Sequence, residues 1–395
     1  MPTSDSPLLL TGHARINRRA AASLYDGHLW VYDSDVLECT ATQAGLVAVA
    51  DESGRALGTA FFSPRSVIRL RMLARPAETV SRDFFFARLQ AAWHRRQQLM
   101  PAADAWRWVH GEADLLPGIF IDRYADCISL QTTCAGADAF EALLVELVQE
   151  IARPRAIVLR RDVGSRTKEG LATDIAVAIG APPVVAAYHE GELALEVDLL
   201  ADQKTGSFLD QAQNHVTAAR YGRGNALDCF TYHGGFALQL STVCSHVVAC
   251  DMSERALVQA RRNADAAGIK NMEFVAEDVF TLLPRLEKEG RKLDTIVLDP
   301  PAFASSRATV GRALGAYKEI NARAMRLLSP GGILVTCSCS GRVSATDFDD
   351  MLAGASRKAR RRVQILERRG AGPDHPVLAG VPETDYLKCR IASVL

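Results

Sequence analysis

The sequence predicts an α/β protein in which a doubly wound parallel sheet is preceded by a small β-barrel and a small α+β domain. The amino-terminal residues contain short predicted strands with alternating apolar residues, separated by glycine and proline. The middle block mixes strands and helices, and from residue 191 apolar runs without alternation are separated by helical segments. We therefore predict three domains, at residues 1–78, 79–190 and 191–395.

The first two domains are predicted from the positions of turn residues and from the spacing of hydrophobic residues. GLVAVAD and ALGTAFFS flank the turn ESGR, and SVIRLRML follows with alternating apolar residues. The helix RDFFFARLQAAWHRRQQLM comes next and is stopped by Pro101. Apolar strands within residues 106–133, a helix over 137–152 and the strand RAIVLRRD then predict a separate α+β domain.

The third domain alternates strands and helices. Strand NALDCF leads through TYHGG into helix FALQLSTVC, strand HVVACD into helix ERALVQARRNADAA, and strand MEFVAED into helix TLLPRLEK. Strand LDTIVLD then precedes helix YKEINARAMRLL, the turn SPGG and strand ILVTCS. Ser253 is a suitable N-cap for the second of these helices, and Gly268 a suitable stop. The pattern predicts a parallel sheet covered on both faces.

Composition restricts the class of protein. The chain is 48% hydrophobic and 23% charged, has no apolar run long enough to span a membrane, and begins without a signal peptide pattern. Nine scattered cysteines without a CxxC pair indicate free thiols in the cytoplasm, and with the nine histidines they show no metal-ligand spacing. Lys+Arg and Asp+Glu balance at 46 each, so basic clusters such as residues 357–362 permit an RNA surface without establishing one.

The loop DCFTYHGGF, residues 228–236, follows the first strand of the third domain, where parallel sheets bind ligands. Gly234 and Gly235 would let the backbone approach a ligand, although a plain tight turn needs the same residues. Asp251 ends the next strand, where a carboxylate accepts both ribose hydroxyls. The other interpretation of Asp251, a helix cap, is weaker because Ser253 is better placed for that role.

The spacing of this loop favours a nucleoside over a dinucleotide. It lacks both the G-x-G-x-x-G pattern and a P-loop lysine, so S-adenosylmethionine is the predicted cofactor. Glu277 and Asp278 end the third strand and would face the adenine edge. Solvated loop charges are the alternative interpretation of that acidic pair.

The fourth strand ends in LDPPAF, residues 298–303. Pro300 and Pro301 fix a rigid, extended turn after Asp299, and Phe303 can stack on a flat base. This combination is a known signature of enzymes that methylate nucleobases, so we expect these residues to bind the substrate base. A purely structural Pro-Pro turn is the alternative.

Over almost its full length the sequence resembles the bacterial 23S rRNA cytosine-C5 methyltransferases that carry an N-terminal PUA domain. The sequence departs from that family at two places. Leu115 and Leu116 stand where the family tends to a Gly-Leu pair, and His233 replaces a Thr or Ser. The matching segments are GHLWVYDSDV (27–36), GEADLLPGIFIDRY (111–124), DQKTGSFLDQ (202–211), FTYHGGF, LDPPAF, YKEIN, SCSG, DHPV and YLK.

The resemblance implies a class I, Rossmann-like methyltransferase domain, a PUA module that presents 23S rRNA, and it points to a homodimer. It also implies a set of cofactor-binding residues, to which we add Gly234 and Asp299 from their loops. The implied residues are Lys204, Thr205, Gly206, Phe208, Asp210, Asp228, Phe230, Gly235, Asp251 and Asp278.

Methylation of cytosine at C5 needs a nucleophile, because a thiolate that adds to C6 makes C5 reactive. Cys337 and Cys339 share a face of the last strand, but Cys337 sits one step further inside the apolar run. Cys339 lies at the carboxyl end, just before Gly341, and falls on the SCSG match. We therefore predict that Cys339 is the nucleophile, that Cys337 is a core residue, and that Asp299 contacts the N3/N4 edge of an unstacked cytosine.

Two other functions stay open at this stage. Related domains with a DPPxF motif methylate nitrogen atoms, such as N7 or N2 of guanine, without a nucleophile, and both cysteines would then be core residues. A non-catalytic RNA-binding or ribosome-assembly factor is the other alternative. The complete set of strand-end acids argues against it, since a binding module needs no cofactor pocket.

Overall fold

The computed structural model of the chain describes residues 6–202, 205–304 and 307–395. These residues form two compact units, and the boundaries predicted near residues 78 and 190 stay predictions. The first unit comprises the described residues up to Tyr188 together with those of Glu196–Ser207 and Pro373–Thr384. The second unit comprises His189–Leu195, the described residues of Phe208–Gly372, and Asp385–Leu395. Within the described ranges, no helix is both long and apolar enough to cross a bilayer.

The amino-terminal part of the first unit is a six-stranded sheet with one helix. Its elements are β1 (Leu10–Ile16), α1 (Arg18–Tyr25), β2 (Trp30–Tyr32), β3 (Val36–Cys39), β4 (Gly45–Asp51), β5 (Ala56–Phe62) and β6 (Ile68–Ala74). The strands lie in the order β2-β6-β5-β4-β1-β3. The strands expected from GLVAVAD, ALGTAFFS and SVIRLRML are therefore confirmed as β4, β5 and β6.

The rest of the first unit contains a five-stranded sheet in the order β11-β10-β9-β8-β7. Its elements are α2 (Arg82–Leu99), β7 (Ala105–His110), β8 (Ile119–Tyr124), β9 (Cys127–Thr132), α3 (Ala135–Asp138), α4 (Glu141–Ala152), β10 (Ala156–Arg160), α5 (Gly164–Glu169) and β11 (Ile175–Ile179). The single helix predicted over 137–152 is wrong, because α3 ends before Phe140 and α4 begins after it.

The break at Phe140 has a packing cause. Its ring lies 5.8 Å from the ring of Phe61 in β5 and 5.6 Å from that of Phe85 in α2, measured between centroids. Phe61 and Phe85 are themselves 6.2 Å apart and fully buried. The two sheets of the first unit therefore share a hydrophobic cluster across the boundary predicted at residue 78.

Leu115, a departure from the family pattern, has a strained backbone conformation. Its φ of 59° lies in the left-handed region, which glycine adopts readily and leucine does not. This is the position at which the resembling family tends to a Gly-Leu pair. The leucine therefore carries backbone strain that a glycine would avoid.

The second unit is built on a seven-stranded sheet that follows the hairpin β12 (Val185–Glu190) and β13 (Leu193–Asp198). Its helices are α6 (Ala212–Ala219), α7 (Gly235–Ser241), α8 (Glu254–Ala266), α9 (Val279–Lys288), α10 (Val310–Leu327) and α11 (Ala345–Ala359). Its strands are β14 (Asn225–Cys229), β15 (His246–Asp251), β16 (Met272–Ala276), β17 (Leu293–Leu298), β18 (Leu328–Ser338), β19 (Val363–Arg369) and β20 (Lys388–Val394). They lie in the order β16-β15-β14-β17-β18-β20-β19.

The predicted parallel sheet is confirmed for the five strands β14 to β18. The sequence pattern did not predict α11, β19 or β20, and β20 runs antiparallel to both of its neighbours. The predicted turn SPGG is instead the first part of β18. The pairing of β18 with β20 sets Lys388 opposite Ser338 and Cys389 opposite Cys337, which brings the carboxyl-terminal strand to the end of β18.

Candidate active site

Four predicted acids lie at the carboxyl ends of neighbouring parallel strands. Asp228 is the penultimate residue of β14, Asp251 ends β15, Asp278 follows β16 by two residues, and Asp299 directly follows β17. Because parallel strands end at the same edge of a sheet, these residues are brought together there. The edge is the site that the sequence predicted.

The loop between β14 and α7 has an unusual backbone. Phe230, Tyr232 and Gly234 have φ values of 66°, 50° and 87°, so two residues with side chains occupy the left-handed region. Such strain is typical of functional loops, where the surrounding structure holds it in place. At Gly235 a Cβ atom would lie 2.3 Å from Cε1 of His215, so only glycine fits between α7 and α6 without displacement.

The carboxylate of Asp251 orients this loop. One oxygen accepts a hydrogen bond from the backbone amide of Tyr232 and the other from that of Ser253, both at 2.9 Å. The hydroxyl of Ser253 caps α8 by accepting from the amide of Ala256 at 3.2 Å, as predicted. A carboxylate has about four acceptor positions, so these two bonds leave it able to accept from ribose hydroxyls.

Asp228 is buried beneath the same loop. Its Oδ2 accepts hydrogen bonds from the hydroxyl of Thr231 at 2.6 Å and from the amide of Ala237 at 3.0 Å. Its Oδ1 is buried and has no hydrogen-bond partner among the residues that the structure describes. Burial, together with the negative charge of Asp299, raises the pKa of Asp228 to about 7.

Sequence reasoning missed a buried ion pair behind Gly235. Nδ1 of His215 in α6 lies 2.7 Å from Oε1 of Glu190 at the end of β12. Burial disfavours the imidazolium, but the Glu190 carboxylate outweighs it and raises the pKa of His215, with smaller contributions from Asp299 and Asp228. The imidazolium form of His215 is therefore favoured beside the acids of the site.

His233 is the loop residue that departs from the family pattern. Its ring stacks on that of Tyr232, with centroids 3.7 Å apart and planes 12° apart. Burial and the positive charge of Arg255 lower the pKa of His233 to about 4, so the imidazole is neutral near pH 7. Its contribution to the loop is therefore packing and not charge.

The acidic pair after β16 has structural partners. Asp278 caps α9 by accepting a hydrogen bond from the amide of Phe280 at 2.9 Å. Glu277 accepts from Nη2 of Arg285 at 2.7 Å, and this bond lowers the pKa of Glu277. The contact of Asp278 with an adenine stays a prediction.

The DPPAF segment turns sharply after β17. Asp299 is half-buried and its amide donates to the carbonyl of Cys229 at 3.3 Å, while Pro300 is buried and Pro301 is exposed. The Phe303 ring is half-buried, 4.7 Å from the ring of Tyr317 in α10. The turn therefore presents Asp299 and Pro301 at the sheet edge and anchors itself through Pro300 and Phe303.

The two cysteines of β18 differ in depth, as expected. Cys337 is fully buried opposite Cys389, and burial raises the pKa of its thiol well above the ordinary value. Cys339 is half-buried, and its Sγ lies 3.9 Å from the carbonyl oxygen of Pro300. The structure thus places Cys339, and not Cys337, beside the DPPAF turn.

Tyr317, from the YKEIN motif, supports the segment around Cys339. Its buried hydroxyl accepts a hydrogen bond from Ser338 at 3.0 Å and lies 3.1 Å from the hydroxyl of Ser340. Ser340 in turn accepts from the amide of Ala304 at 3.3 Å. This network fixes the end of β18 relative to the loop that follows β17.

The residues predicted from the DQKTGSFLDQ segment fall in different places, and Lys204 lies outside the described residues. In the first unit, the Thr205 hydroxyl donates to the carboxylate of Asp122 and Gly206 adopts a φ of 135°. In the second unit, the ring of Phe208 meets that of Tyr232 edge to face at 5.0 Å. There too, Asp210 accepts from the hydroxyl of Tyr386 at 2.6 Å. The structure therefore brings Phe208 to the glycine loop.

Some of the site residues that were not predicted lie in sequence motifs, and others do not. Tyr317, Tyr386 and Lys388 lie in motifs that carry the family resemblance, so they could have been named, whereas Glu190 and His215 lie in no recognised motif. Across the part of the chain that the structure describes, no three His, Cys, Asp or Glu side chains are grouped to hold a metal ion.

Comparison with known proteins identifies both parts of the chain. The family profile of the PUA-like domain matches residues 14–75, and that of a methyltransferase domain matches residues 223–370. Ribosomal RNA large subunit methyltransferase I of Erwinia tasmaniensis is 40% identical over 382 residues, covering 93% of this chain and 96% of the relative. The proteins of that name from Shigella boydii and Escherichia coli O157:H7 are 38% identical over the same shares.

Solved structures agree on the fold. A methyltransferase solved in complex with SAH has a TM-score of 0.83 at 17% identity, covering 98% of this chain and 100% of that one. A SAM-dependent methyltransferase from Streptococcus mutans has a TM-score of 0.82 with the same identity and coverage. The chain therefore has the class I methyltransferase fold with an N-terminal PUA-like domain.

The residues of the sheet edge fit S-adenosylmethionine. Oδ1 of Asp228 is a buried acceptor beneath the glycine loop and has no hydrogen-bond partner among the described residues. The carboxylates of Asp228, Asp251 and Asp299 suit a ligand that carries ribose hydroxyls and a positive sulfonium.

Proposed function

The chain belongs to the ribosomal RNA large subunit methyltransferase I family, and we propose that it methylates C5 of a cytosine in 23S rRNA through a cysteine adduct. The observation that carries this proposal is the position of Cys339. Its half-buried sulfur lies 3.9 Å from the carbonyl oxygen of Pro300, in the turn expected to bind the base. A nitrogen-methylating enzyme has no need of a thiol at that point.

The cofactor is held by the loops after β14, β15 and β17. Asp251 binds the ribose, the backbone at Gly234 and Gly235 approaches the ligand, and Asp299 provides negative charge, to which Asp228 adds in its ionised form. Phe208 packs edge to face on Tyr232 and so contacts the glycine loop. When bound, S-adenosylmethionine supplies an electrophilic methyl group.

The chemical steps on the base are carried by two side chains. The Cys339 thiolate forms a bond to C6, the C5=C6 π pair becomes a C4=C5 double bond, and the C4=N3 π pair moves onto N3, which takes a proton from solvent while Asp299 holds the N3/N4 edge. C5 is thereby made nucleophilic and is the atom that is methylated. Loss of the C5 proton then re-forms the C5=C6 bond and expels the Cys339 sulfur as a thiolate, and N3 returns its proton to solvent, which restores the aromatic ring and the free enzyme.

The rRNA is bound in part by the amino-terminal sheet. A cavity of about 290 Å³ there is lined by Arg19, Ser23, His28, Trp30 and Tyr32, among others. The Arg19 side chain is mostly exposed, although it pairs with the buried Asp35, and Tyr32 is partly exposed, so the cavity presents a cation and an aromatic face. Unpaired RNA bases stack on such rings and phosphates pair with such cations.

The base and the atom that is methylated can be identified directly. Unmethylated 23S rRNA is incubated with the full-length enzyme and S-adenosylmethionine, then digested and analysed by mass spectrometry against nucleoside standards. We expect 5-methylcytidine. A methylated guanosine would support nitrogen methylation, and no product with any rRNA would support the assembly-factor alternative.

The RNA surface is tested by point substitution, because removing residues 1–78 would expose Phe85 and Phe140. We expect Arg19→Ala and Tyr32→Ala to weaken rRNA binding several-fold each while cofactor affinity stays the same. Arg15→Ala is the matched control, since Arg15 is an exposed arginine that pairs with Glu38 outside this cavity. Equal rRNA affinity for all three variants would remove the cavity from the RNA surface.

A further inference from the structure

Lys388 is a buried lysine at the start of β20. Only 4% of it is exposed, and its Nζ donates hydrogen bonds to the carbonyl oxygens of Ser340 and Tyr386, each at 2.7 Å. Among the described residues, no carboxylate forms an ion pair with it within 4.0 Å. The hydrogen-bond partners of this buried ammonium are neutral carbonyls, which do not neutralise its positive charge. The burial of such a charge needs an explanation.

The charge is directed at the end of β18. Lys388 pairs with Ser338 across the sheet and binds the carbonyl of Ser340, so it brackets Cys339 from both sides. Of the titratable groups that act on the ammonium, Cys339 has the largest influence; Asp385 and Asp347 also favour its charged form and Arg390 opposes it. From α10, Tyr317 also lies within the electrostatic influence of Cys339.

We propose that Lys388 is a positioning residue whose ammonium holds Cys339 as a thiolate and whose two hydrogen bonds fix the backbone that carries the sulfur. This inference rests on the nucleophilic role of Cys339 in the proposed function. A positive charge close to a thiol favours the thiolate, and the thiol proton is released to solvent.

The protonation state of Lys388 is compatible with this role. Burial lowers the pKa of Lys388 to about 8, so most of the population is charged at pH 7. At neutral pH the charged Lys388 therefore supports the thiolate. The burial of this lysine is unfavourable for the stability of the fold.

The test measures the reactivity of Cys339 without RNA or cofactor. Cys39 and Cys339 are the two cysteines that are not fully buried, so the full-length Cys39→Ser protein reports iodoacetamide alkylation at Cys339. The rate is followed against pH by peptide mass spectrometry. Lys388→Gln keeps hydrogen-bond donors without the charge, and Lys388→Arg keeps the charge.

In the Cys39→Ser protein with Lys388 intact, we expect an alkylation midpoint below the value of about 8.5 for an unperturbed cysteine. Lys388→Gln is expected to raise that midpoint by about one pH unit and to slow alkylation at pH 7 about tenfold, with rates converging at high pH. Lys388→Arg should keep the low midpoint.

Three results would overturn the inference: a midpoint at or above 8.5 with Lys388 intact, an unchanged midpoint in Lys388→Gln, or the same rise in Lys388→Arg and Lys388→Gln. The first needs no substitution at Lys388, so it decides the matter even where a Lys388 variant does not fold. Because alkylation requires no methyl transfer, a failure of the proposed cytosine chemistry would be seen separately, as absence of 5-methylcytidine.

Discussion

The carboxylate of Asp251 accepts a hydrogen bond from the backbone amide of Tyr232 at 2.9 Å. This bond connects the end of β15 to the loop that follows β14. Asp251 was predicted as a ribose acceptor, and the structure adds that it also holds the strained loop in place. The two roles are compatible, because a carboxylate can accept from the backbone and from a ligand at once.

Replacement of Asp251 by alanine is expected to weaken S-adenosylmethionine binding tens-fold in titration calorimetry. The reason is that the ribose hydroxyls lose their acceptor and Tyr232 its backbone tether, at ~2 kcal/mol or more. Asp265→Ala, at an exposed position on the adjacent helix α8, should bind the cofactor normally. Unchanged affinity in Asp251→Ala, with the circular dichroism spectrum intact, would remove Asp251 from the site.

Gly235→Ala tests the packing of α7 on His215. The new Cβ would lie 2.3 Å from a ring atom, so α7 must move, and we expect a loss of ~1–3 kcal/mol in the free energy of unfolding together with weaker cofactor binding. Gly315→Ala is the control, since that exposed helical position has open space and should gain ~0.5–1 kcal/mol. Equal stabilities in urea unfolding would contradict the steric account.

The raised pKa of Asp228 gives a signed dependence of stability on pH. Its pKa is about 7 in the folded protein and near its ordinary value of 3.8 in the unfolded chain, so between these values the folded state binds more protons. Stability from this group is therefore present at low pH and lost as pH rises towards 7.

Asp228→Asn removes that titration while keeping an acceptor for the amide of Ala237. We expect the variant to gain stability relative to the native protein as pH rises from 5 to 7, and the difference to level off above 7. Urea unfolding at several pH values measures it. A difference that is the same at pH 5 and pH 8 would show that Asp228 titrates normally.

The strand-end acids could be predicted from the sequence because a parallel sheet gathers its carboxyl ends at one edge, whatever the order of the strands. The Glu190–His215 pair could not, since it joins a hairpin to a helix that precedes the sheet. Lys388 was missed for a related reason. It reaches Cys339 only through an antiparallel strand at the end of the chain, which no local pattern indicated.

Helix limits were predicted less well where tertiary packing decides them. The helix predicted over 137–152 is divided at Phe140, whose ring packs against those of both Phe61 and Phe85. Those contacts join residues on both sides of the boundary predicted at 78, and no periodic pattern in either segment encodes them. By contrast, α2 and α8 agree with the expected ranges to within a residue because Ser81 and Ser253 cap them.

The central claim is that Cys339 adds to the base. The most direct measurement uses 23S rRNA transcribed with 5-fluorocytidine, because a fluorine at C5 cannot leave as a proton and the adduct is trapped. With S-adenosylmethionine, the native enzyme and Cys337→Ala should form a covalent complex that survives denaturing electrophoresis, and Cys339→Ala should form none. A trapped complex with Cys339→Ala, or methyl transfer by that variant, would contradict the account and favour methylation at nitrogen.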